Sequence, residues 1–421
     1  MKYFRFLVVG NAISAYGSYL NMLALNLFAY ELTKSPLFSG LFLAVRLVAG
    51  FLTGFVAGRI VDHRRRKPLM VAAELCQATA LVILVVAPSA AQEEILYGLA
   101  VVTGVGSTIS QVCLRAMVPE IVGQDLRTRA NSLLVTGRSL AMVLGFASAG
   151  IILARIGYHA AFLIDALSFV LSASILTTLP VAGPRKGAQS EADKSRPESF
   201  VAVQRTALRF LWTVPILLPM ITIRAIDGLG SSSHNVALPV YSSALDPHHP
   251  AAFMSRFWML WAIGNIVFQQ LLSWHGKRTG RTFEETAFAL GTCVMSAAFI
   301  LAFCGFPAAL TAVIALVAGA ADGFTEVSYI SRLQSVPDER RGAVFGLSAT
   351  ADNLGVGVGM VLTSSALEFF SPLQVVAVAH GTAIAMALAF LVYLARRRRH
   401  PPAPPGQSPH ASVSTRTEEA R

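Results

Sequence analysis

Apolar runs long enough to cross a bilayer recur along almost the whole of this chain, and they exclude a soluble core. A helix needs roughly 20 such residues to span the hydrocarbon layer, whereas a soluble helix of that length would carry a polar face. Read with this template, the sequence predicts twelve spans at 4–32, 37–58, 69–88, 94–116, 130–153, 158–180, 212–243, 253–274, 285–304, 309–330, 343–369 and 374–395. Only 14% of the 421 residues are charged and mean hydropathy is +0.59, so lipid must solvate most of the surface. The expected fold is therefore an all-α membrane protein of twelve transmembrane helices. The first run is too long for a signal segment, carries polar residues and is expected to be retained.

The basic residues orient these spans. With the N-terminus inside, only Lys34, Arg155 and Arg256 fall on the outer side, so the positive-inside rule places both termini in the cytoplasm. A net charge of +11 then reads as membrane orientation, not as a nucleic-acid surface. The four cysteines stand singly in apolar segments and suggest neither a disulfide framework nor a metal site.

Residues 181–211 are too polar to fold alone and divide the chain into an N-terminal six-helix half (1–180) and a C-terminal six-helix half (212–395). Within this linker, 200–212 alternates apolar and basic residues at near-helical spacing, which suits a helix lying on the membrane surface. From Arg396 the chain reads as a disordered cytoplasmic tail whose basic base contacts anionic lipid. The halves echo each other: Asn11, Ser14, Ser18 and Asn21 of span 1 recur 213 residues later as Arg224, Asp227, Ser231 and His234 of span 7. Each set steps i, i+3, i+7, i+10 and makes one polar stripe, which must face the bundle interior or water.

Charged groups inside the spans are the candidates for function. Arg46, Arg138 and Arg224 would each cost about 2.5–3.5 kcal/mol near a helix centre. A structural ion pair is one explanation for each. Together with Ser231, His234 and Asn235 they point to binding of an anion, since guanidinium pairs bidentately with carboxylate; Asn11, Ser18 and Asn21 are expected to share that site. Asp227, Asp322, Glu326 and Asp352 are the candidate proton carriers, and Asp322 and Glu326 stand one turn apart, where repulsion helps one of them hold a proton. Asp165 is as readily structural. No G-x-x-x-x-G-K-[ST] is present, so the driving force is expected to be a gradient and not ATP; no nucleophile or metal constellation suggests an enzyme, and no cofactor is called for.

After span 2 the chain reads Gly58-Arg-Ile-Val-Asp62-His63-Arg-Arg65-Arg66-Lys67-Pro68. This resembles the G-x-x-x-D-R/K-x-G-x-R/K-R/K loop of the major facilitator superfamily: Gly58, Asp62, Arg66 and Lys67 match, while His63 and Arg65 depart from it. The resemblance implies a gating loop, in which Asp62 facing the start of span 11 near Gly342 would hold the cytoplasmic side shut. The stretches LALNLFAYELTKSP (23–36), ANSLLVTGRSLAMVLGFASAG (130–150), FLIDALSFVLSAS (162–174) and VPDERRGAVFGL (336–347) resemble the macrolide-efflux and enterobactin-exporter branch of that superfamily. It implies two pseudo-symmetric halves that rock about a central site and exchange protons for an exported small molecule, in the inner membrane of a bacterium, as a monomer. A carboxylate or hydroxamate siderophore is the expected cargo, with multidrug or macrolide efflux as the alternative and a non-transporting sensor or scaffold as a remote one.

Overall fold

The protein is described here from a computed structural model covering residues 2–63, 66–123, 126–179, 200–279 and 285–399. Thirteen α-helices account for nearly all of these: α1 (Lys2–Thr33), α2 (Pro36–His63), α3 (Arg66–Val86), α4 (Gln92–Val122), α5 (Arg127–Arg155), α6 (Tyr158–Thr178), α7 (Phe200–Thr213), α8 (Leu217–Leu245), α9 (Pro250–Thr279), α10 (Glu285–Ala302), α11 (Ala308–Gln334), α12 (Asp338–Leu367) and α13 (Pro372–Arg399). No strand occurs among the described residues.

Ten of the helices are long and apolar enough to cross a membrane. The two other long ones are α1 and α8, which carry the polar stripes. Their polar residues are turned inward: Asn21 and Asn26 on α1 and Asp227, Ser232, Ser233, His234 and Ser242 on α8 are all buried. Neighbouring helices shield these two from lipid, so their own hydropathy is relieved of that task. The remaining helices present Leu52, Val135, Leu140, Leu167 and Val392 outward, where lipid solvates them.

Packing repeats between α1–α6 and α8–α13. In the first set α1 packs on α5 and α6, α4 on α2 and α3, and α3 on α6; in the second, α8 packs on α12 and α13, α11 on α9 and α10, and α10 on α13. Small residues set the close approaches at related places. A Cβ on Gly145 of α5 would lie 2.9 Å from both the Tyr16 carbonyl oxygen and Tyr19 Cβ of α1. One on Gly359 of α12 would meet Leu229 Cα and Ser232 Oγ of α8 at 2.8 Å, the same contact moved on by 213 or 214 residues. Backbones pressed this closely gain dispersion energy that lipid cannot replace.

Two boundaries differ from the sequence reading. The seventh span does not start at 212: α7 ends at Thr213 and α8 begins at Leu217. Pro215 sits in the gap, and its missing N–H and ring block a continuous helix. Helix α7 packs on α12 with Leu211 buried, while Trp212 is exposed. At the far end α13 continues to Arg399, into the segment expected to be tail; 400–421 lie outside the described residues, as does most of the polar linker.

The two sets meet chiefly through two contacts related by the same repeat, α2 on α12 and α5 on α9. Both hold their close approaches at the face away from the termini. There Gly40 abuts Ser364, and Gly150 faces Ser255, whose Cβ would lie 2.7 Å from an added Gly150 Cβ. The Ser255 hydroxyl donates to the Phe146 carbonyl across α9 and α5 at 2.6 Å. At the end of α12 the Glu368 carboxylate accepts from the Ser35 hydroxyl and, at 3.0 Å, from the Leu37 N–H in the first turn of α2. Toward the termini α2 and α12 diverge, and a cavity opens between them.

The central cavity and two charged poles

The cavity between the two helix sets measures about 630 Å³. Met22, Leu43, Leu47, Phe51, Phe55 and Met360 give it apolar walls, and Asn26, Arg46, Ser107, Thr108, Asn235, Thr350 and Asn353 give it polar points. It shares Met22, Arg46 and Ser107 with a second cavity of about 270 Å³ inside the α1–α6 set. This smaller chamber is markedly polar. It contains the whole stripe expected on span 1, Asn11, Ser14, Ser18 and Asn21, together with Arg46, Arg138, Glu74, Gln77 and Asp165.

At this first pole, Arg138 donates from Nε to the Tyr19 hydroxyl at 2.9 Å, and its guanidinium carbon lies 5.8 Å from the Tyr19 ring centroid. Neither Arg46 nor Arg138 forms an ion pair within 4.0 Å among the described residues. Asp165 accepts from Asn21 Nδ2 at 2.7 Å and from the Ser168 hydroxyl at 3.2 Å, which ties α6 to α1. Tyr19, Glu74 and Gln77 were missed by the sequence reading, although Glu74 was visible as an acid inside span 3.

The second pole is acidic and collects all four candidate proton carriers. Arg224 of α8 pairs with Asp227 (3.3 Å), with Glu326 of α11 (2.9 Å) and with Asp352 of α12 (3.7 Å). Asp322, one turn before Glu326, accepts from Asn265 Nδ2 at 3.2 Å, and Asn265 in turn accepts from Gln269 at 2.9 Å. Glu326 and Asp352 keep 40% and 38% of their side-chain surface accessible, so the cluster is open on that side, whereas Asp227 is buried with Oδ1 unpaired. Four carboxylates around one guanidinium leave a surplus of negative charge in a place where charge is costly. The structure thus gives Arg224 three acidic partners, the ion-pair alternative to the anion contact expected from the sequence.

His234 also departs from its expected place. It is buried, stacked on Phe299 with centroids 3.8 Å apart, and its Nδ1 meets His380 Nε2 of α13 at 3.1 Å. That pair joins α8 to α13 as Asn21–Asp165 joins α1 to α6, and Asn21 precedes His234 by the repeat distance. His234 is thus held between Phe299 and His380 and is not among the residues lining the two cavities described above. Asn235 does line the large cavity, with its amide donating back to the Ser231 carbonyl at 2.8 Å; Ser231 itself is half-buried.

At the end of α2 and in the loop after it, the surroundings of Gly58 and the side chain of Asp62 lie outside what is described. Arg66 donates to the Ala116 carbonyl at 3.0 Å, and Lys67 to the Thr177 and Leu179 carbonyls at 2.7 Å each. Lys67 therefore caps the C-terminal end of α6, where cations are favoured. Gly342, the expected partner region of Asp62, has open space where a side chain would stand, as the divergence of the helices at this face requires.

Comparison with known proteins agrees with this architecture. Among solved structures, the nucleoside transporter NupG superposes with a TM-score of 0.70 at 14% identity, covering 94% of this chain and 99% of that one. The peptide transporter POT in complex with sulfate gives 0.69 at 14% identity, covering 94% and 95%. A bacterial homologue of the iron transporter ferroportin in an inward-facing state gives 0.68 at 16%, covering 92% and 98%. At such identities these share a fold with the chain and nothing finer. In sequence, the chain is 28% identical over 216 residues to the uncharacterized MFS-type transporter YfiS of Bacillus subtilis (strain 168), an alignment that spans 50% of each protein. Residues 7–336 match the Major Facilitator Superfamily. A multi-pass helical membrane protein with this repeat, this cavity and this match is a transport protein and not an enzyme, and it belongs to the Major Facilitator Superfamily.

Proposed function

We propose that the chain is a proton-coupled exporter that carries a small anionic metabolite, of the carboxylate or hydroxamate siderophore class, out across the cytoplasmic membrane of a bacterium. The observation that carries this reading is the opposition of the two poles. On the α1–α6 side, Arg46 lines both cavities and Arg138 the smaller one, neither with a carboxylate within 4.0 Å among the described residues. On the α8–α13 side, four acids share Arg224, and the surplus charge is relieved by bound protons. Cargo and protons would then occupy opposite walls, which lets rocking of the halves exchange one for the other.

In this reading the face bearing the termini is cytoplasmic, residues 1–180 and 212–395 are the moving halves, and a single copy suffices. Arg224 serves as counter-ion to the carboxylates that carry the protons, leaving anion binding to Arg46 and Arg138. Multidrug or macrolide efflux is the second reading. It is favoured by the apolar wall of Leu43, Leu47, Phe51 and Phe55, which suits a lipophilic cargo.

The test is the partition of iron-chelating metabolites between cells and medium, under iron limitation, in a deletion strain complemented with wild type or with Arg138→Gln. Retention of chelator in the deletion strain, reversed by wild type and not by Arg138→Gln, is the expected result. Normal export in the deletion strain, with lowered inhibitory concentrations for several unrelated lipophilic compounds, would replace it with drug efflux.

A further inference from the structure

We propose that Glu74 is a second proton-carrying carboxyl, lodged in the N-terminal half and separate from the acid cluster around Arg224. Glu74 stands on α3 at the wall of the smaller cavity, with 2% of its surface exposed and Oε2 lacking any hydrogen-bond partner. An ionised carboxylate in such a position, with no ion-pair partner and with the Ser172 hydroxyl of α6 facing it, costs several kcal/mol of lost hydration. The charged and titratable side chains that line the same chamber are Tyr19, Arg46, Arg138 and Asp165, and none forms an ion pair or hydrogen bond with Glu74. From α4 the chamber receives Thr103, Ser107, Ser110, Gln111 and Leu114, while Cys113 lies in the adjoining apolar cluster.

The contrast with Asp165 is what singles Glu74 out. Asp165 spreads its charge over the Asn21 amide and the Ser168 hydroxyl. The nearest amide along α3, Gln77, is spent on its own helix, donating to the Ala73 carbonyl at 3.2 Å. Asn21 Oδ1 and Ser110 Oγ, which also line the chamber, are left without partners too. A proton on Glu74 removes the uncompensated charge and turns the carboxyl into a further donor for this chamber. The wall shared with the main cavity at Arg46 and Ser107 gives water, and hence protons, a way in.

The idea rests on the proton-coupled reading only in its choice of ion, and the test needs no cargo. The full-length protein in lipid is titrated from acid to alkaline pH and followed by infrared difference spectroscopy of the carboxylic-acid C=O stretch, in choline and in sodium buffers. Wild type is expected to lose a band that Glu74→Gln lacks and that Asp322→Asn and Glu74→Asp retain, the last at a shifted frequency. Identical titrations of wild type and Glu74→Gln would overturn the proposal. If the only titrating band vanished in Asp322→Asn and persisted in Glu74→Gln, all protons would belong to the C-terminal half, and the proton-coupled reading would survive without Glu74. Loss of the Glu74 band on adding sodium at constant pH would also overturn it, assigning the chamber to sodium instead.

Discussion

Removing the positive charge of Arg224 should strand the acids around it, and a double-mutant cycle with Asp227 can measure this. Asp227 is the better probe, because it is 5% exposed against 40% for Glu326, whose interaction water screens. Breaking a buried pair by deleting one partner costs about 3–5 kcal/mol, since a buried charge is left uncompensated. Arg224→Gln alone is therefore expected to lose about that much unfolding free energy at neutral pH. Arg224→Gln combined with Asp227→Asn removes the stranded charge as well and leaves two amides one turn apart. The double variant should recover at least ~1 kcal/mol relative to the sum of the single losses, in line with the couplings found for residues in direct contact. Steric-trapping or detergent-titration unfolding of the purified protein gives the four corners of the cycle. Strict additivity would show that Arg224 and Asp227 do not hold each other, and the charge cluster as drawn would be wrong.

Two further predictions concern the closed face. The Ser35 hydroxyl, then the Leu37 N–H, hold the Glu368 carboxyl below the usual carboxylate range. Its contribution to closure is thus fully present above the ordinary carboxylate pKa and is lost as pH falls through the lowered value. Glu368→Gln should weaken closure by about 0.3–1 kcal/mol, as for a charge at a helix N-terminus, and speed labelling of a Ser364→Cys reporter by about two- to fivefold; pH-independent labelling equal to that of the parent would refute the latch. Gly150→Leu places carbon where Ser255 stands, 2.7 Å from the new Cβ, and overpacking of this kind costs about 1–3 kcal/mol. That cost falls on the closed state alone, so the same reporter should become more accessible, and unchanged labelling would mean that α5 and α9 do not gate.

What could be read from residues alone depended on the range of the interaction. Hydropathy acts through lipid, which every span meets separately, so the count of twelve long helices and the inward polar stripes of α1 and α8 were legible one segment at a time. The loop pattern at Gly58–Lys67 and the 213-residue echo likewise needed no third dimension. Individual acids and arginines were legible too, yet their partners were not. For Arg224 only Asp227, one turn away, stands near in sequence; Glu326 and Asp352 join it through α11 and α12. The partner of His234 is equally invisible until α13 brings His380, 146 residues away, beside it. Glu74 gains its meaning only from its burial, with no ion-pair partner and with Oε2 unpaired. The sequence by itself determined that this chain is a twelve-span bundle of two repeats with charges in its interior, because each span must satisfy lipid and its own backbone alone. Only the tertiary structure decided which charges neutralise one another and which face the cavity, because charge pairing acts over a few ångströms between helices that are distant in the chain.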